Sequence, residues 1–205
     1  MTGTEAQEKE TGRIEAFSDG VFAIAITLLV LEIKVPHLED GSGDSLARAL
    51  AAQWPSYVAF VVSFLTILIM WTNHHAIFDL VRGASPALLY ANGLLLLLVT
   101  FVPYPTAVLA EYLDKPAGAI AGAFYAGTFV MIAVAFNLLL WTACRGRRLL
   151  KPGVSEATTR GIARSYLPGV PLYLAAAAAA FLDVKLTVAT CTALALFWIF
   201  TARSH

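Results

Sequence analysis

Arg13-Ile-Glu15-Ala-Phe17-Ser18-Asp19-Gly20-Val-Phe-Ala-Ile24-Ala-Ile-Thr27-Leu28-Leu-Val-Leu31 is the stretch on which the reading of this chain turns. From Gly20 to Leu31 it carries no charge, yet Glu15, Asp19 and, one residue further on, Glu32 sit close to an otherwise apolar run. At about 100° per residue, Ile24, Leu28 and Leu31 fall within about 60° of one another, with Thr27 at the edge of the stripe. Asp19 lies about 140° round the helix from Ile24, so it is expected to point towards neighbouring helices. A carboxylate in or near a membrane segment is costly unless paired. Asp19 therefore belongs either to a polar network or, if shallow, to a helix cap at the interface.

The rest of the chain explains why a membrane is the setting. Its 205 residues are 59% hydrophobic and only 14% charged, too few polar groups to cover a water-soluble surface. A bilayer core of about 30 Å requires roughly 20 apolar residues per helix. Six approximate spans follow, at residues 14–33, 49–75, 86–110, 117–144, 165–182 and 186–202, in one six-helix domain covering residues 1–205. The first is the least lipid-like, and the last two are expected to form a tight antiparallel hairpin about Asp183-Val184-Lys185. The fold class is thus an all-α polytopic membrane protein. Of the 14 Lys and Arg residues, Lys34, Arg48, Lys115 and Lys185 fall on one side and the other ten on the side of both termini. That imbalance places both termini in the cytoplasm of a plasma-membrane protein. The polar, mixed-charge opening MTGTEAQEKETG does not fit a cleaved signal peptide, so the first helix is expected to be retained.

Other features narrow the chemistry. Balanced charge gives no support to nucleic-acid binding. Cys144 and Cys191 have no neighbouring metal-ligand pattern, and no Walker loop, GxSxG, HExxH or TVGYG filter is present. No enzyme, cofactor or metal centre is expected. Trp71-Thr-Asn-His74-His75 ends the second span, and its adjacent histidines point about 100° apart, a poor geometry for one shared ion. An interfacial Trp with hydrogen-bonded histidines is the ordinary reading, with an acidic group of the first helix as partner. Pro103 and Pro105 predict a kink. Asn92 and Asn137 read as interhelical hydrogen-bonding amides, and the alanines 175–180 as a close-packing surface. The basic stretch from Arg145 to Arg164 is accounted for by topology, with contact to anionic headgroups as the alternative.

Arg13-x-x-x-Phe17-Ser18-Asp19 closely resembles the RxxxFSD signature of the transmembrane protein 175 family of potassium channels. The Trp71-Thr-Asn-His74-His75 and Phe101-Val-Pro103-Tyr-Pro105-Thr106 segments resemble that family too, and a single six-helix unit is similar to its prokaryotic members. The resemblance implies a homotetramer in the bilayer, around a central pore lined by helix one. It implies that Ile24 forms the main hydrophobic constriction, that Leu28 and Leu31 form further rings, and that Thr27 supplies a hydroxyl ring for selectivity. Arg13, Ser18 and Asp19 would join Trp71 and His74 in a hydrogen-bonded network, with His75 as the alternative to His74. Potassium would be the permeant ion, modestly preferred over sodium, with the constriction as both gate and selectivity element. A rival reading is a proton-coupled transporter or proton pathway through Asp19 and His74. An intramembrane enzyme using His74 and His75 is a weaker one.

Overall fold

The computed structural model describes residues 3–38 and 43–201, with side chains described over 10–38 and 43–198. These residues are all-α apart from one isolated antiparallel bridge, Val81 to Leu150. The helices are α1 (Gly3–Leu28), α2 (Gly43–Ala52), α3 (Trp54–Phe78), α4 (Pro86–Phe101), α5 (Pro103–Tyr112), α6 (Gly118–Cys144), α7 (Glu156–Tyr166), α8 (Gly169–Ala179) and α9 (Val184–Thr201). Short 3₁₀ turns continue α1 over Leu29–Glu32 and α6 over Arg145–Arg147.

Local sequence explains most boundaries. Ser85 caps α4, its Oγ accepting from Leu88 N at 3.2 Å, and Ser155 caps α7 in the same way through Thr158 N at 3.0 Å. Proline in the first turn suits the starts of α3, α4 and α5, where the missing N–H has no helical partner to lose. The expected kink near the paired prolines is a break at Val102, immediately before Pro103.

Among the described residues four segments are long and apolar enough to cross a membrane: Glu10–Glu32, Trp54–Phe78, Pro86–Tyr112 and Gly118–Arg147. Two expected spans differ from the observed helices. The run expected at 49–75 divides at Gln53, leaving α2 as a separate helix with no buried residue. The run expected at 165–182 divides at Pro168, which removes a backbone donor and ends α7 before α8 begins. α8 then has only 11 residues, about 16 Å of helix against a core of about 30 Å. The end of the last expected span at 202 lies outside the described residues, as does Arg203.

α6 occupies the middle of the subunit and packs on α4, α5, α8 and α9. Glycine permits that closeness. A Cβ on Gly122 would stand 2.9 Å from Val184 Cγ2 and 3.2 Å from Ala180 Cβ. Ala176 and Ala180 of the alanine run are buried. The α8–α9 hairpin is pinned by Thr187 Oγ1 donating to Ala176 O at 2.9 Å and by Lys185 N donating to Asp183 Oδ1 at 2.8 Å. A buried hydroxyl knot ties three helices, with Ser63 of α3 lying 2.8 Å from Thr106 of α5 and 2.9 Å from Tyr125 of α6. α1 is attached differently: it lies against α3 and α4 at the edge of this arrangement.

Candidate pore helix and its polar network

α1 has two faces. Ser18, Phe22, Ala25 and Leu29, spaced four, three and four apart, are buried, so one helical stripe is committed to the subunit. The other stripe is bare: Phe17, Ile24, Leu28 and Leu31 are 67%, 58%, 39% and 64% exposed, and Gly20, Ala23 and Thr27 are exposed between them. α-Helical geometry ends at Leu28, so Leu31 stands on the 3₁₀ turn. In such a turn residues three apart eclipse, which sets Leu31 nearly over Leu28. Thr27 Oγ1 donates to Ile24 O at 2.9 Å, so its proton is turned inward and its lone pairs remain outward.

Beside the buried stripe, the half-buried Glu15 and Asp19 meet α3 through two parallel rungs. Trp71 Nε1 donates to Asp19 Oδ1 at 2.8 Å, and His75 Nδ1 lies 2.6 Å from Glu15 Oε1. Glu15 and Asp19 are four apart on α1, as Trp71 and His75 are on α3, so the antiparallel helices pair one turn with one turn. His75 also lies 3.7 Å from Asp79 through Nε2, and its ring stacks on Trp71 at a centroid distance of 6.3 Å.

His74 points elsewhere, fully buried between Phe22 and Phe78, with ring centroids at 5.4 and 4.5 Å. Its Nε2 lies 2.9 Å from Asn92 Oδ1 of α4, Asn92 Nδ2 donates to Ser18 Oγ at 3.0 Å, and Ser18 Oγ donates to Ile14 O at 2.9 Å. An amide oxygen only accepts, so in this arrangement the His74 proton is on Nε2. His74 Nδ1 is buried and has no hydrogen-bond partner among the described residues. Asp19 and His74, the proposed ends of a proton relay, are thus each bonded to a different partner.

The structure brings together Ser18 with His74, by way of Asn92, and Asp19 with Trp71. Arg13 stands apart: it is exposed, and no described residue hydrogen-bonds or ion-pairs with its side chain. It lines a groove of about 440 Å³ between α1 and α4 with Glu10, Ile14, Phe17, Leu89, Asn92, Gly93 and Leu96. Two members of the site were not assigned from sequence. Asn92 was read only as a generic interhelical amide, and Glu15 was not named as the partner of His75. The matched four-residue spacings of Glu15/Asp19 and Trp71/His75 were the available signal for the second. No group of His, Cys, Asp and Glu suited to a metal is found among the described residues.

Comparison with known proteins places this helix in a family. Residues 13–103, which contain both the bare stripe and the network, match the model for the endosomal/lysosomal potassium channel TMEM175. A potassium channel of Chamaesiphon minutus is 51% identical over 199 residues, covering 97% of each chain. The chain belongs to the TMEM175 family. It is therefore an ion-channel relative and not an enzyme, and the family requires no cofactor. A potassium channel of Streptomyces collinus is 48% identical, with 93% of this chain and 92% of that one covered. The human endosomal/lysosomal proton channel TMEM175 is 35% identical over 136 residues, 63% of this chain but 27% of its own length. The crystal structure of a lysosomal potassium-selective TMEM175 homolog from Chamaesiphon minutus superposes with a TM-score of 0.86 at 50% identity, covering 95% of this chain and 98% of that one. TMEM175 membership and the long apolar helices together make this a multi-pass membrane protein.

Proposed function

We propose that this chain forms a potassium channel of the plasma membrane, as a homotetramer with both termini in the cytoplasm and α1 from each subunit around the axis. Six membrane segments are counted by adding α8 and α9 to the four long helices. The observation that carries the reading is the bare apolar stripe of α1, on a helix whose opposite side is fixed by polar bonds, the Asn92–Ser18 bond buried and the Trp71–Asp19 bond at its exposed flank. The names of the Chamaesiphon and Streptomyces relatives support potassium as the ion.

Four copies of Ile24, with Leu28 and Leu31 beyond, would offer no oxygen to replace an ion's water shell, so a narrow ring dewets and blocks. Conduction then follows widening or partial wetting, and potassium, with its looser hydration, passes more readily than sodium. Thr27 adds outward-facing oxygen lone pairs beside the constriction. Ser18, Asp19, Trp71 and His74, joined by Asn92, hold the back of α1 so that the stripe keeps its orientation, and Arg13 stands at the cytoplasmic mouth. Recording from purified protein in a planar bilayer, with potassium on one side and sodium on the other, tests this directly. Current steps reversing towards the potassium equilibrium potential are expected, and Ile24→Asn should raise current and lower selectivity; unchanged conduction in that variant removes Ile24 from the gate.

The second reading is a proton pathway using Asp19 and His74, favoured by the human relative's name and by a histidine in a buried chain of hydrogen bonds. Reversal potentials that follow a pH gradient and ignore the potassium gradient, abolished by His74→Ala, would select it.

A further inference from the structure

The cations of this chain are treated differently at its two ends. At the end formed by the α1–α2, α5–α6 and α8–α9 connections, Lys34, Lys115 and Lys185 pair with Glu32, Glu111 and Asp114. Arg48 turns onto Asp44 O. At the opposite end the α3–α4 and α6–α7 connections carry Arg82, Arg145, Arg147, Arg148 and Lys151, and none of these has a carboxylate partner among the described residues. The nearby acids are otherwise engaged, Asp79 with His75 and Glu156 with Arg160. A topology rule that counts Lys and Arg explains how many cations lie here, but not why they are left without counter-charge.

These residues are also built into one surface. Arg82 N donates to Leu149 O and Lys151 N donates to Leu80 O, both at 2.8 Å, so the two loops are clasped by the Val81–Leu150 bridge. Arg82, Arg148 and Lys151 are therefore within two residues of a single rigid point. Gly146 and Arg147 take left-handed backbone angles, φ 67° and 58°, a conformation uncommon for a side chain as large as arginine. That turn throws the chain out of α6, and Arg147 Nη2 donates to Val154 O. Arg82 Nε is buried without an acceptor among the described residues, so packing rather than an acid positions this guanidinium. Arg145 lies over the exposed Trp141 ring at 4.8 Å, one turn inside the end of α6. An exposed Trp at the end of an apolar span marks headgroup depth.

We propose that this clasped loop pair is a binding surface for anionic phospholipid headgroups in the leaflet on its side of the membrane. Its cations offer charge-assisted bonds to a lipid phosphate without first breaking an internal ion pair, and Trp141 sets them at the depth where such phosphates lie. The surface depends on the membrane setting and not on conduction.

The test uses the purified full-length chain in phosphatidylcholine vesicles carrying trace spin-labelled phosphatidylglycerol or spin-labelled phosphatidylcholine. Phosphatidylglycerol is expected to be held at the protein several-fold more strongly. In Arg148→Gln/Lys151→Gln, two exposed positions outside the core, the preference should fall towards parity, and it should fall further with Arg82→Gln added. Lys34→Gln/Lys115→Gln, which removes the same charge from the other end, should leave it intact. Millimolar inorganic phosphate, at ionic strength matched with chloride, should not compete. Equal retention of the two lipids by the unmodified chain would overturn the proposal. Equal losses from the two double variants would do so as well, and displacement by dissolved phosphate would reassign the surface to a soluble anion.

Discussion

α1 and α6 are equally apolar over their membrane-spanning windows, yet 22% of the α1 window is buried in the subunit against 50% of the α6 window. Hydropathy measures what a helix can leave water for; it does not say whether lipid, protein or a pore replaces the water. α6 resolves this by contact along a broad face, with glycines at 118 and 122 and large aromatics at Tyr125 and Phe129 filling the space between its neighbours, while Ile120, Met131, Val134 and Trp141 remain exposed on its outer side. α1 resolves it by division. One face is fastened through specific polar bonds and the other is left free of the subunit. A bundle core tolerates little change in volume, whereas a face with no neighbours within its own subunit tolerates a great deal.

The contrast can be broken most severely at α6. Gly122→Leu drives atoms into Val184 and Ala180, and should destabilise the subunit by about 3 kcal/mol, seen as a lower unfolding temperature in detergent and early-eluting aggregate on size exclusion. A fully stable variant would mean that α8 and α9 are not held against α6 as described. Next comes the fastened face of α1. Asn92→Ala strands His74 Nε2 and removes the donor to Ser18 Oγ, which keeps its own bond to Ile14 O, and is expected to cost about 1 to 2 kcal/mol by chemical denaturation. Trp71→Phe removes the donor to Asp19 while keeping an aromatic ring at the position, and should cost about 0.6 kcal/mol, the average for a hydrogen bond between membrane helices. An effect as large as that of Asn92→Ala would show that the Trp71 rung anchors the helix as firmly as the buried amide does. Smallest in stability is Ile24→Asn on the bare face, within about 0.5 kcal/mol of the unmodified protein, while its current in a bilayer rises several-fold. A large loss of subunit stability there would erase the distinction between the two faces of α1.

Single-helix arguments read well from sequence wherever the physics was local. The apolar runs, the proline break beside Val102, the hairpin at Asp183 and the single stripe of Ile24, Leu28 and Leu31 all follow from spacing along one segment. Contact between segments was less legible. Asp19 could be expected to seek a partner, but that Trp71 supplies it while His74 turns to Asn92 depends on the rotation of α3 against α1 and α4. Arg13, in the same motif as Ser18 and Asp19, lies on the exposed side of the helix and takes no part in those bonds. The proline at 168 was visible, but its effect depended on what followed: α8 packs on α6 as a short helix and does not continue α7.

By itself, then, the amino-acid order determined that this chain enters a membrane as helices and that α1 carries charge other spans do not, because burial of the backbone and length against bilayer thickness are properties of each segment. Tertiary structure decided which face of α1 is bound and which is bare, which histidine meets which partner, and which cations keep a counter-charge. Those outcomes depend on distances between residues far apart in the chain, set jointly by the packing of every helix around α6.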